Sequence, residues 1–192
     1  ILGGLTIDVA GAKGVSLTLA GVHVQDTNGN AKTITTKGVE KVTYYGTTGN
    51  DEVNLTATGV KKVDIYTGQG DADKVNLTVS GAGAKENIDI LANTDNANSG
   101  GKVNFTVQGL TQNNVTLVSE GFDEVRLGSA TKIGGTLDIT SDHAINALST
   151  ISAGSVALKS LQNGIGLGGA VSAITGSIHL AAGQNVYANA AL

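Results

Sequence analysis

The chain has 192 residues and a formal charge of −4, with 28 Gly and no Pro, Cys, Met or Trp. The absence of Cys excludes disulfides and thiolate metal sites, and a single Arg with no basic patch argues against nucleic-acid binding. No apolar run reaches the ~20 residues needed to span a bilayer, and with two Phe and four Tyr the core has to be built from Val, Ile, Leu and Ala.

From the N-terminus, the first strand-like segment is Val15-Ser16-Leu17-Thr18-Leu19, followed by Gly21. Val39-Glu40-Lys41-Val42-Thr43-Tyr44-Tyr45 comes next and aligns with Val60-Lys61-Lys62-Val63-Asp64-Ile65-Tyr66, 21 residues on. Val53-Asn54-Leu55-Thr56 returns as Val75-Asn76-Leu77-Thr78 at an offset of 22, once Asp71 is treated as an insertion. It returns again as Val103-Asn104-Phe105-Thr106 at an offset of 28. The extra length falls in the polar, turn-rich stretch from Asn93 to Gly101, which reads as a loop bulging from one coil. Each copy alternates apolar and polar residues, so each buries one face of a strand.

Beyond residue 128 the texture changes but the period persists. Gly135-Thr136-Leu137-Asp138-Ile139 resembles Gly154-Ser155-Val156-Ala157-Leu158 and Gly176-Ser177-Ile178-His179-Leu180, at offsets of 19 and 22. Asp142 to Leu148 is the best helix candidate, but it is too short to stand alone. Residues 143–192 carry one charged side chain, Lys159. These spacings predict an all-β chain: a single parallel β-helix, or β-solenoid, over 1–192, with about eight coils of ~22 residues. Asn/Thr-rich repeats fill 1–128 and Gly/Ala/Ser-rich repeats fill 129–192. A β-sandwich is the alternative, since it also uses short alternating strands.

One turn carries a chemical signal. Gly46 to Asn54 fits the nonapeptide G-G-x-G-x-D-x-U-x in all but its second Gly. In that motif, Gly carbonyls and the Asp carboxylate bind Ca2+. Gly68 to Val75 is a degenerate second copy. The candidate metal ligands are therefore Gly46, Gly49 and Asp51 in one turn and Gly68, Gly70, Asp71 and Asp73 in the next. Stacked turns would also bring Glu52 close, and a divalent cation would relieve the repulsion. Ordinary solvated Gly/Asp turns are the plainer reading.

Four Asn-x-Thr sequons begin at Asn54, Asn76, Asn104 and Asn114. In-register Asn and Thr also form side-chain ladders between coils, which is the preferred reading. Tyr45 and Tyr66 are expected to stack on successive coils, as a packing ladder or as a sugar platform.

No catalytic constellation emerges. The pairs Asp51/Glu52 and Asp123/Glu124 are adjacent and point to opposite faces of a strand. His23, His143 and His179 lack metal-ligand spacing, and no G-x-S-x-G elbow occurs. A polysaccharide-active β-helix enzyme remains a remote alternative, and the expectation is a non-enzyme.

The Gly-Asp turn, the Val-Asn-Leu-Thr strands and the lack of Cys resemble bacterial repeats-in-toxin proteins. More narrowly, they resemble the S-layer proteins and giant surface adhesins related to them. This resemblance covers roughly residues 39–81. The C-terminal Gly-Ser-Ile-x-Leu family resembles the right-handed β-helices of two-partner-secreted exoproteins. These resemblances imply secretion, calcium and assembly at a cell surface. The expected function is a self-assembling structural subunit of an S-layer, filament or extracellular matrix, whose partner is a second copy of itself. The alternative is an adhesin module that binds a cell-surface glycan or host ligand. A chain with neither an initiator Met nor a leader is read as a processed subunit or fragment.

Overall fold

A computed structural model of the chain describes residues 4–21, 33–81, 87–95, 100–108 and 113–189. His23 and the middle of the 93–101 loop lie outside these residues, as does Gly109. The strands alternate between two facing sheets, so each strand pairs with one from a neighbouring coil rather than with its neighbour in sequence.

The first sheet holds nine strands: β1 (Leu5–Asp8), β3 (Thr33–Lys37), β5 (Glu52–Thr58), β7 (Lys74–Ser80), β9 (Lys102–Gln108), β11 (Glu124–Leu127), β14 (Ala144–Ala147), β17 (Ile165–Leu167) and β20 (Val186–Ala188). The second holds eight: β2 (Ser16–Ala20), β4 (Lys41–Thr47), β6 (Lys62–Gly68), β8 (Asn87–Asn93), β10 (Asn114–Glu120), β13 (Thr136–Ser141), β16 (Ser155–Ser160) and β19 (Ile178–Ala182). All pairings are parallel. The chain is therefore a parallel β-solenoid with coils of ~22 residues, and not a sandwich.

From residue 131 onward a third, three-stranded sheet appears: β12 (Thr131–Lys132), β15 (Ile151–Ala153) and β18 (Val171–Ala173). The change of sequence texture near residue 128 thus marks a change of cross-section. Before it, most coils are built from two seven-residue strands; after it, coils have three shorter ones. Corners between short strands need close backbone approach. A Cβ on Gly154 would lie 2.7 Å from the carbonyl oxygen of Gly134, so only Gly fits that corner.

The register reproduces the repeat offsets. Lys41 pairs with Lys62, Asn54 with Asn76, Asn76 with Asn104, Leu137 with Val156 and Val156 with Ile178. Alternation then stacks like on like. Val53, Val75, Val103, Val125, Ile145 and Ile165 form one buried column running through the core. Its next member, Val186, is 43% exposed on β20. Asp142 to Leu148 contributes strand β14, because pairing with β11 and β17 outweighs a weak local helical signal.

One inward column is polar. Ser119, Ser141 and Ser160 stack in register and are all buried. The Ser160 hydroxyl donates to the His143 carbonyl at 2.6 Å, whereas those of Ser119 and Ser141 have no hydrogen-bond partner. A buried, unmatched hydroxyl costs on the order of 1–3 kcal/mol, while deleting a buried Leu side chain costs about 2–5 kcal/mol. In urea titrations followed by circular dichroism, Ser141→Ala is expected to leave the midpoint unchanged or raise it, and Leu77→Ala to lower it sharply. A midpoint that falls as far for Ser141→Ala as for Leu77→Ala would contradict this reading of the column.

Candidate functional site: the Gly-Asp turns and the outer ladders

The two Gly-Asp turns lie between the sheets, β4 leading into β5 and β6 into β7. Asp51 is 1% exposed and Asp73 0%, so both carboxylates sit inside the wall of the solenoid. Charge at that depth is tolerated only if it is hydrogen-bonded. Asp51 Oδ2 accepts from the Thr47 backbone N–H at 2.7 Å and the Thr47 hydroxyl at 3.2 Å, and Oδ1 accepts from the Tyr44 hydroxyl at 3.4 Å. Asp73 Oδ1 accepts from the Asp51 backbone N–H at 2.8 Å, joining the two coils. Its Oδ2 accepts from the hydroxyls of Thr67 at 2.6 Å and Thr94 at 3.1 Å. The single Thr94 hydroxyl proton is shared between Asp73 Oδ2 and the Gly68 carbonyl, 2.9 Å away, and either bond ties in a third coil.

The glycines make this packing possible. A Cβ on Gly46 would lie 2.6 Å from Asp51 Oδ2, and one on Gly70 would strike Asp73 Oδ1. Gly68 has φ +89°, a conformation that L side chains rarely adopt. Gly49 faces open space and Asp71 is exposed. Of the seven residues predicted as calcium ligands, the structure therefore brings Asp51 and Asp73 together inside the wall and leaves the Asp71 side chain outside. Glu52 points outward and pairs with Lys74 at 3.4 Å. Hydroxyls, backbone N–H groups and a lysine thus supply donors to Asp51, Asp73 and Glu52. Among the described residues, no three His, Cys, Asp or Glu side chains converge on one point.

The outer face of the first sheet carries the asparagine ladder. Asn76 Nδ2 donates to Asn54 Oδ1 at 2.6 Å, and Asn104 Nδ2 to Asn76 Oδ1 at 2.7 Å. Thr58 and Ser80 hydroxyls meet at 2.8 Å one column over. On the second sheet, Asn114 Nδ2 donates to Asn87 Oδ1 at 3.0 Å, and Asn114 Oδ1 accepts from Thr136 N–H at 2.8 Å. The amides of all four sequon asparagines therefore bind coil to coil.

The tyrosines divide by alternation. Tyr44 is buried and reaches Asp51, while Tyr45 points out and stacks on Tyr66 with ring centroids 5.4 Å apart and planes 11° apart. Paired in register, the two rings turn faces toward each other. Each ring covers one face of the other, and Tyr45 remains 51% exposed. Beyond Tyr66, on the same outer face, lies a shallow depression of about 370 Å3 between β6, β8 and β10, with Leu91 and Val118 in its lining.

Glu40 pairs with Lys61 at 3.2 Å. Its carboxyl is held below the usual range first by the Gly14 N–H and then by Lys61. His143 supplies a backbone carbonyl to Ser160, and His179 is exposed on β19. Sequence reasoning missed the hydroxyl partners Thr47, Thr67 and Thr94. A Thr shortly before each turn Asp is their only sequence signal, and Thr is too common for it to stand out.

The class of protein these features define is a parallel β-solenoid stapled by side-chain ladders and buried turn carboxylates. No protein-family model matches the chain, and neither a characterised protein nor a solved structure matches it.

Asp73 binds three donors from three coils, so its removal strands the Asp51 N–H and leaves the Thr67 hydroxyl only a long 3.5 Å contact to the Asn93 carbonyl. Asp73→Ala is expected to cost about 3 kcal/mol or more, in the range for breaking a buried charged network. The exposed Asp71→Ala should stay within about 0.5 kcal/mol. Thermal melts of the two variants check this, and equal shifts would refute the staple role of Asp73.

Proposed function

We propose that the chain is a structural, self-assembling module of a secreted surface protein, as in an S-layer, filament or extracellular matrix. The observation that carries this reading is where the polar chemistry goes. Asn54, Asn76, Asn104, Asn114 and Asp73 all use their side chains to hold one coil to another. A molecule that invests its amides and buried carboxylates in its own repeat is suited to rigidity and repetition. The C-terminal coils add to this, since residues 143–192 carry only Lys159 as a charged side chain and are rich in small residues that allow close lateral packing.

Calcium enters this proposal as a stabiliser of the Gly-Asp turns through Asp71 and the turn carbonyls. The hydrogen bonds to Asp51 and Asp73 already close both turns, so calcium would add to a fold that stands without it.

A second reading, an adhesin module for a glycan, is favoured by the Tyr45–Tyr66 stack beside the depression on the second sheet. The two rings cover one face of each other, so the platform they offer is a single small stack and this reading ranks second.

The test is sedimentation and electron microscopy over a range of protein concentrations, with calcium and with EDTA. Growth into regular assemblies is expected, along with a melting temperature raised by calcium and β-type circular dichroism that persists in EDTA. A monodisperse monomer at high concentration in both conditions would contradict the structural reading. A glycan array with one strong hit would favour the adhesin.

A further inference from the structure

The two broad faces of the solenoid differ in their unpaired charge. Strands of the first sheet carry four basic residues, Lys37, Lys74, Lys102 and Arg126, against three acidic ones, Asp8, Glu52 and Glu124, an excess of one positive charge. Each acid has its own lysine: Asp8 with Lys37 at 3.5 Å, Glu52 with Lys74 at 3.4 Å and Glu124 with Lys102 at 3.3 Å. Arg126 is left over. It is exposed and takes part in no ion pair or side-chain hydrogen bond among the described residues. It lies in the asparagine column, between Asn104 and Asn146, pointing away from the core.

The second sheet has the opposite balance. Lys41, Lys62 and Lys159 face Asp64, Asp89, Glu120 and Asp138, an excess of one negative charge. Lys41 and Lys62 both bind Asp64, at 3.5 and 3.6 Å. Asp89 is exposed with no cation on its carboxylate, and Glu120 accepts only from the Asn93 amide, at 2.7 Å, among the described residues. Both line the depression of about 370 Å3 that also contains Leu91 and Val118. Its chemistry is therefore an apolar bed with Asp89 and Glu120 at its ends and the Lys62–Asp64 ion pair at its side, an excess of two negative charges among its lining residues. Arg matches that chemistry well, with an apolar stem and a flat guanidinium that hydrogen-bonds carboxylates in pairs.

We propose that Arg126 of one copy seats in this depression on a neighbouring copy. Its guanidinium would lie flat over the paired Leu91 and Val118, between the carboxylates of Asp89 at one end and Glu120 at the other. This inference rests on the self-assembly reading and names the contact that would serve it. The two faces look in opposite directions across the core, so one molecule cannot satisfy its own Arg126. The contact is heterologous and generates an open side-by-side row, first sheet of one copy against second sheet of the next. With about 4.8 Å between strands and about 3.3 Å per residue, eight or nine strands make a face of roughly 800 Å2. A standard interface buries about that much on each partner. A buried Arg near the centre is a typical energetic anchor.

The test is sedimentation velocity and electron microscopy of the purified chain at low and moderate salt, with circular dichroism to confirm folding. Rows are expected for the unaltered chain and should weaken with salt. R126E and the milder R126Q should each lower the apparent association constant at least tenfold, and so should D89K. The charge swap R126E/D89K should recover a substantial part of that loss. If the unaltered chain assembles and R126E and R126Q assemble as well as it does, this contact is wrong while the structural reading stands. If the unaltered chain never assembles, both fall.

Discussion

Every feature of this molecule depends on one constraint, in-register stacking of parallel strands at a fixed spacing. A solenoid coil has no private core, and its apolar residues are covered only by the coils above and below it. Residue types must therefore recur at the same position in successive coils. The column from Val53 to Ile165 shows this inside, and the ladder from Asn54 to Asn104 shows it outside. A slip of one residue would turn the valines to solvent and the asparagines into the core. Register is thus guarded twice, by burial on one face and by amide–amide bonds on the other.

The corners obey the same constraint with different chemistry. The backbone leaves its strand at each turn, so its polar groups need other partners. Asp51 and Asp73 supply them from within the wall, and Asp73 links the backbone of one coil to hydroxyls of two others. The Gly residues that resemble a calcium motif are required here by the closeness of carboxylate and carbonyl atoms to Gly46 and Gly70. In the C-terminal coils the same space problem is met by Gly corners such as Gly154, with fewer charges and three shorter strands per coil.

Much of this was legible in the chain. The offsets of 21, 22, 28, 19 and 22 residues became the strand register, and the Tyr45–Tyr66 stack followed from the same alignment. Repetition made these features readable, because each prediction had several copies to support it. The switch to a three-sided cross-section was visible only as a change of texture, since β12, β15 and β18 have two or three residues each, too few for a period. The donors to Asp51 and Asp73 were hidden because most are Thr residues no different in sequence from the outward-facing ones, and because Asp73 also draws on the coils to either side. The role of Arg126 was hidden for a similar reason: its isolation appears only once every other charge on its face is seen to be paired.

The register itself can be tested directly, and the chain has no Cys to interfere. Thr56 and Thr78 pair across β5 and β7, at a strand spacing of about 4.8 Å that suits a disulfide. Thr56 and Ser80 lie diagonally and farther apart. Oxidation of the Thr56→Cys/Thr78→Cys chain is predicted to form an intramolecular disulfide rapidly while β-type circular dichroism is retained, and Thr56→Cys/Ser80→Cys should lag well behind. Preferential cross-linking of the diagonal pair, or loss of the β signal on closing the in-register one, would contradict the stacked register from which the whole account is built.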